Sequence, residues 1–293
     1  MNQIKEEILN FMASRPETVG IIGYGSGVNP QKGQENRKPQ IDLIVIVDDI
    51  KKWNIANIKQ NKKDYSFTSR LFFKYAPKKW LKNGGKICYL TYIPFNQSKY
   101  KIGTIEKTDF INDLEKWETF YIAGRMQKPI LIVKSDNEIE KAIDYNRKSA
   151  ILVSKLLIET KEINKKDFYI TLGSLSYMGD TRMKIAENPD KVKNIIEGSM
   201  QFYDIHYGSN LNIKNDKVQI DKDIDTNKLP HDLKEFLKTN SNITEFLIEK
   251  NKKQSLAQTV KGIFTTGPIK AIKYAKEKLR RGKRKWHKNQ GEI

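Results

Sequence analysis

Cysteine is nearly absent from this chain. Cys88 is the only one in 293 residues, which excludes an intrachain disulfide framework and a thiolate zinc site. Histidine is almost as scarce: His206, His231 and His287 lie far apart in sequence and form no ligand motif. Long apolar runs are missing too. The tightest is Leu43 to Val47, and the region from Ala150 to Ile158 is broken by Ser154 and Lys155. A membrane-spanning helix needs roughly 20 apolar residues. The opening MNQIKEEILNFMASRPE is too acidic and too short of apolar core for a signal peptide, and no transit peptide is expected. A charged fraction of 30% with 10% aromatics is not a disordered composition. The length suits one large domain or two medium ones.

What the chain has in excess is positive charge. Lys and Arg total 54 against 35 Asp and Glu, a net +19. Such a surplus points to an anionic partner: nucleic acid, an anionic membrane or a phosphorylated substrate. A lysine-rich genome would explain part of it, but the distribution is uneven. Between Lys270 and Lys288 ten Lys or Arg face one acid, Glu277, so about half of the surplus falls in that short stretch. There Pro268 suits a first helical turn. Ile272, Ala275, Leu279 and Trp286 share one face, with Arg280, Arg281 and lysines around it. That pattern reads as an interfacial helix on anionic lipid. A nucleic-acid-binding tail would not need the apolar face.

Hydrophobic patterning divides the chain. Residues 3–14 read as a helix, 19–24 as a strand entering a Gly-Ser-Gly turn, 29–40 as a polar loop, and 41–47 as a central strand, IDLIVIV. Further strands are expected at 86–93, 100–105 and 129–133, with a helix at 109–119. From Asp136 the pattern becomes helical: 136–160, 165–176, 190–206 and 231–250, with a loop or short hairpin at 207–230. The boundary is expected near 135, and 251–260 as a link to the basic tail.

Two features carry chemistry. The first is Tyr24-Gly25-Ser26-Gly27 after a strand, where glycines let backbone amides approach a phosphate. It is neither a P-loop nor a dinucleotide fingerprint, and an ordinary turn suits the same residues. The second is Asp42 at the start of an otherwise apolar strand. A carboxylate there needs a partner or a metal; magnesium on a nucleoside triphosphate supplies one, since Mg²⁺ takes one or two protein carboxylates and fills its other positions with phosphate and water. A salt bridge or a solvent-facing strand edge is the plainer alternative. Gly-Ser, a short gap and a strand-initiating Asp resemble the polymerase-beta-type nucleotidyltransferase superfamily. That pattern has a second carboxylate two positions on, where this chain has Ile44. Asp48 and Asp49 read better as a turn at the strand end.

Longer stretches narrow the resemblance. GYGSGVNPQ (23–31), IDLIVIVDD (41–49), FYIAGRMQKPI (120–130), NRKSA (146–150), LGSLSYMGDTRM (172–183) and KGIFTTGPIKAIKYA (261–275) occur in order. The chain thereby resembles the mitochondrial translocator assembly and maintenance family, whose activity is phosphatidate cytidylyltransferase. The resemblance implies an α/β protein: a nucleotidyltransferase domain (1–135), a mostly helical, winged-helix-like domain (136–250), and a linker with a basic amphipathic membrane-associating helix (251–293). It implies CTP and phosphatidic acid as substrates, Mg²⁺ or another divalent cation as cofactor, an anionic membrane surface as partner and no nucleic acid.

Site residues follow from the same resemblance. Gly25 and Ser26 would bind the β- and γ-phosphates and Asp42 the metal. Asp180, in Gly-Asp-x-Arg, would be the second carboxylate, although a helix cap or a pair with Arg182 explains it as well. Arg125, Lys128 and Lys148 would contact phosphate, Asn146 base or sugar, and Tyr24 and Tyr177 are candidates to stack on cytosine. The expected location is peripheral, on the cytoplasmic face of a bacterial cell membrane. Two other functions suit the residues: an RNA or small-molecule nucleotidyltransferase, and a non-catalytic membrane adaptor.

Overall fold

In the computed structural model, which describes residues 2–29, 40–179 and 190–266, helix α1 (Asn2–Met12) leads into strand β1 (Gly20–Tyr24). One 3₁₀ turn, Gly25–Gly27, precedes β2 (Ile41–Val47). Helices α2 (Ile50–Gln60), α3 (Phe67–Tyr75) and α4 (Lys78–Lys82) follow, then strands β3 (Ile87–Phe95) and β4 (Ser98–Glu106). Helices α5 (Lys107–Lys116) and α6 (Ala123–Met126) and strand β5 (Ile130–Lys134) complete a sheet of order β3-β4-β2-β1-β5. The sheet is mixed, because β2 runs antiparallel to β1 and parallel to β4.

Apart from Asp42, β2 is apolar because both its faces are covered. Leu43, Val45 and Val47 pack with Phe11 of α1, Trp53 of α2 and Phe73 of α3. Ile44 and Ile46 pack on the other face with Phe110 and Leu114 of α5. Helix α7 (Asn137–Leu157) starts at Asp136, whose side chain accepts from the Ile139 amide and caps it. Its first half joins the sheet's core through Ile139, Ala142 and Ile143. Its second half joins another core through Ala150, Ile151 and Val153. Helix α7 thus contributes to both cores.

That second core is built from β6 (Glu162–Asn164), α8 (Lys165–Ser174), the 3₁₀ turn Leu175–Tyr177, α9 (Lys191–Glu197), α10 (Met200–Tyr207), the hairpin β7 (Ile213–Lys214) and β8 (Lys217–Gln219), α11 (His231–Leu237) and α12 (Ile243–Thr266). A small sheet of order β6-β8-β7 lies at its edge. The helix expected over 190–206 is two helices, broken at Gly198 and Ser199, and the one over 231–250 is likewise two. Residues 251–260, expected as a linker, are the middle of α12. Their polar side chains are the reason that a helix face was not visible there. Gln254 Oε1 accepts from the Gly85 amide at 2.7 Å, and Lys261 Nζ donates to the carbonyls of Leu81 at 2.9 Å and Ile87 at 2.7 Å. Among the described residues no helix is long and apolar enough to cross a membrane. Most of the polar stretch 29–40, Asp180 with Arg182, and the tail carrying Ile272, Leu279, Arg280, Arg281 and Trp286 lie outside the described residues.

Candidate active site

Strand register places three polar side chains in one row. Tyr24 at the end of β1 pairs with Asp42, and Asp42 pairs across the parallel ladder with Lys101 of β4. Side chains alternate along a strand, so Asp42 shares the face of Ile44 and Ile46, which are fully buried further along. The Gly25–Gly27 turn folds over the polar end of this row. Gly25 has φ +76°, and a Cβ there would lie 3.6 Å from Asp42 Oδ2. Gly27 passes so close to β2 that a Cβ would come within 2.4 Å of the Gln40 carbonyl oxygen. Only glycine permits that approach. Ser26 is half-buried, and its hydroxyl bonds to none of the described residues.

Two cations lie at the row, and a third lies near the second of them. Lys101 Nζ lies 4.0 Å from the Tyr89 ring centre and pairs with no carboxylate among the described residues. Burial alone would depress its pKa; Tyr24 and Asp42 outweigh that and hold it well above the ordinary lysine value. Arg125 of α6 stacks on Tyr121 at 3.6 Å and lies 5.9 Å from the Tyr24 ring. Its Nη1 donates to the Tyr121 carbonyl at 2.5 Å. Lys128 Nζ donates to Ser176 Oγ at 2.9 Å and lies over the Tyr177 ring at 4.2 Å. Burial, with Arg125 and Lys191 nearby, pushes its pKa below the ordinary value despite Tyr177. The tyrosines line the gap between the cations: Tyr24 Oη lies 3.4 Å from Tyr89 Oη, and burial raises the Tyr89 hydroxyl to about 12.

A buried carboxylate shapes the segment that delivers Arg125. Asp113, 1% exposed, takes the amides of Thr119 and Phe120 on Oδ1 at 2.6 and 2.8 Å. Its Oδ2 takes those of Ile122 and Ala123 at 2.7 and 3.1 Å, and the Thr119 hydroxyl also donates to Oδ1 at 2.7 Å. This closes the loop between α5 and α6. Asn146 locks the same loop from α7: its Oδ1 accepts from Trp117 Nε1 at 2.8 Å and Gln127 Nε2 at 3.2 Å, and its Nδ2 donates to the Ala123 carbonyl at 2.9 Å.

The sequence-derived residues thus separate. Tyr24, Gly25, Ser26, Asp42, Arg125 and Lys128 come together. Asn146 is fully buried in the scaffold behind them. Lys148 points away, paired with Asp144 at 2.7 Å on an exposed helix face. Asp49 is the N-cap of α2, accepting from the Lys51 and Lys52 amides, and Ile44 is core. Asp180 directly follows Gly179, which packs against Ile248 of α12. Sequence reasoning missed Lys101, Tyr89 and Tyr121. Lys101 was detectable: in YKIGTIE it occupies a position whose neighbours at i+2 and i+4, Gly103 and Ile105, share its face.

Among the described residues no cluster of three or more His, Cys, Asp or Glu could hold a metal. Asp42 still suits one that is bound chiefly by phosphate. Its Oδ1 accepts from Gln40 Nε2 at 2.8 Å, while Oδ2 takes no hydrogen bond from the described residues and faces the glycine turn. One carboxylate is enough for a magnesium ion that draws its other ligands from phosphate and water. Three cations, one carboxylate and a glycine turn against tyrosine faces suit a polyphosphate attached to an aromatic base.

Comparison with known proteins points the same way. A family model described as phosphatidate cytidylyltransferase, mitochondrial, matches residues 6–239. The chain belongs to that family. Among proteins bearing that name, the one from Saccharomyces cerevisiae is 34% identical over 261 residues, which is 87% of this chain and 64% of the relative. The Schizosaccharomyces pombe protein is 32% identical over 312 residues, covering 89% of this chain and 79% of its own length. The Xenopus laevis protein is 29% identical over 315 residues, covering 93% and 92%. The chain thus spans under two thirds of the first of these relatives and most of the other two. Their names place those proteins in mitochondria and lend no support to a bacterial inner-leaflet location.

Proposed function

We propose that this chain transfers CMP from CTP to phosphatidic acid, releasing pyrophosphate and forming CDP-diacylglycerol, at an anionic membrane surface. The observation that carries the reading is the row Tyr24–Asp42–Lys101 beneath the glycine turn, with Arg125 beside Tyr24 and Lys128 near Arg125. Family membership supplies the substrate class.

Such a transfer depends mainly on positioning and charge neutralisation. The nucleophile is a phosphate monoester with a second pKa near ~6, so it is largely dianionic at neutral pH and needs no general base. Among the described residues the cluster holds no histidine, which accords with that, and so does a core isoleucine at position 44. An oxygen of the lipid phosphate bonds to the α-phosphorus of CTP. The bond to the β-bridging oxygen breaks, and its electron pair leaves with pyrophosphate. Lys101, Arg125 and Lys128 hold the triphosphate and stabilise the charge that accumulates on the leaving group. The Ser26 hydroxyl and the turn amides orient the terminal phosphates, and Tyr24 and Tyr177 offer faces to cytosine. A divalent cation, held by Asp42 with Asp180 as the proposed second ligand, would neutralise phosphate charge.

In the same reading residues up to about 135 form a nucleotidyltransferase domain of the polymerase-beta type. The α8 helix and the β7–β8 hairpin pairing with β6 support a winged-helix-like second unit. The basic tail beyond 267 binds the bilayer peripherally.

The test is incubation with Mg²⁺, labelled CTP and phosphatidate liposomes. A lipid-soluble cytidine product that depends on phosphatidate is expected, and Asp42→Asn abolishes it without unfolding the protein. Label appearing in RNA instead would select the RNA nucleotidyltransferase. Liposome binding with no product would select the adaptor.

A further inference from the structure

Helices α3 and α4 carry an apolar surface that the fold does not cover. Phe67, Leu71 and Tyr75 recur at four-residue spacing along α3, and they are 67%, 43% and 65% exposed. On the other side of α3, Ser69 and Phe73 are buried. Trp80 on α4 adds a fourth large side chain, 55% exposed. Isolated exposed apolar residues need no explanation, but three aromatics and a leucine on adjacent helices form a patch.

The surroundings of the patch are cationic. Residues 62–82 hold seven Lys or Arg and one acid, Asp64. Lys78 and Lys82 are neutralised internally by Asp49, Glu106 and Asp109. Lys62, Lys63, Lys74 and Lys79 are exposed and form no ion pair with the described residues. Lys74 Nζ lies 5.1 Å from the Tyr75 ring centre, and the Arg70 guanidinium lies 5.9 Å from that of Phe67. Trp and Tyr with long basic side chains beside them are suited to the membrane–water boundary, where rings enter the headgroup layer and ammonium groups remain among phosphates. Charge decides between occupants. A second copy would bring the same cations face to face, and the chain's own basic residues after 270 would be repelled likewise. An anionic bilayer is attracted.

Position adds a second argument. α12 packs along α3 and β3. Near its end Lys261 is fixed to the carbonyls of Leu81 and Ile87, directly beyond Trp80. The described chain therefore ends next to the patch, and the sequence that follows carries the membrane-binding pattern.

We propose that the Phe67–Leu71–Tyr75–Trp80 face is a bilayer-docking surface that inserts among anionic headgroups. The proposal rests on the lipid-directed function above, and its test separates the two. The full-length double variant Phe67→Ser/Trp80→Ser is compared with the parent for partition onto vesicles of phosphatidylcholine containing phosphatidate. Product formation from detergent-dispersed phosphatidate is measured in parallel. Partition should fall about tenfold or more, with turnover in detergent unchanged. In a second variant Leu71→Cys carries an environment-sensitive fluorophore. Its emission should shift to the blue on these vesicles and stay unshifted on pure phosphatidylcholine. Unchanged partition together with an unshifted label overturns the docking surface, whatever the enzymatic result. A concentration-dependent dimer that dissolves in the double variant while partition persists overturns it in favour of self-association. If the parent makes no lipid product yet the label shifts, the catalytic reading fails and the docking surface stands.

Discussion

Replacing Lys101 by Met asks whether the cation beside Asp42 belongs to the phosphate site or only to the fold. Two terms act on stability. The substitution loses a partly desolvated cation–π contact with Tyr89, worth about 1–2 kcal/mol. It also removes the desolvation cost of the half-buried ammonium group together with the attraction of Tyr24 and Asp42, which outweighs that cost. The net is a loss of about 1–2 kcal/mol, and in a chain of this size the melting temperature should fall by no more than about 8 °C. Binding behaves differently. A hydrogen bond from a charged donor to a phosphate oxygen contributes about 1.5–3 kcal/mol, so CTP affinity should fall roughly 10- to 150-fold. Titration calorimetry with CTP and Mg²⁺, alongside a thermal melt, measures both. Lys101→Arg, which keeps the charge, should recover part of the affinity. CTP affinity within twofold of the parent would refute the reasoning, and a melt lowered by 10 °C or more would make Lys101 structural.

Two further predictions concern Lys128 and Asp113. The pKa of Lys128 is lowered in the fold, so the unfolded chain binds more protons than the native one between the depressed value and about 10.5. Through that window Lys128 adds stability as pH rises, and below it the penalty is fully present. Bound triphosphate favours the protonated amine, so CTP affinity should decline with rising pH across the same window; in Lys128→Met it should be weak and lack that decline, and a parent profile without it would contradict the assignment. Asp113→Asn puts an amide where five donors need carboxylate oxygens. It should destabilise by about 4 kcal/mol, read by urea denaturation, and a loss below about 1 kcal/mol would refute the role given to Asp113.

What the sequence revealed, and what it hid, has physical causes. IDLIVIV is legible to the residue as β2 because a strand covered on both faces is apolar on both, Asp42 at its open end excepted. Tyr24, Asp42, Arg125 and Lys128 lie in recognisable motifs; strand register joins the first two, and the loop held by Asp113 delivers Arg125. Lys101 stands out from the other lysines of a lysine-rich chain only when strand alternation in YKIGTIE is used to assign its face. Asn146 and Lys148 came from one short motif, yet two residues on a helix differ by about 200°: one is locked in the scaffold and the other points to solvent. α12 beyond Lys250 carries no apolar period because Gln254, Gln258 and Lys261 pack through hydrogen bonds to backbone groups between Leu81 and Ile87. Residues 50–82 show no long apolar period, and their helices are legible chiefly from the caps Asp49 and Ser66.

A crystal structure of the chain with CTP and Mg²⁺ tests the central claim most directly. The triphosphate should lie against Gly25–Gly27 within hydrogen-bonding reach of Lys101 and Arg125, with the cation on Asp42. A nucleotide bound elsewhere, with Asp42 and Lys101 untouched, would contradict it.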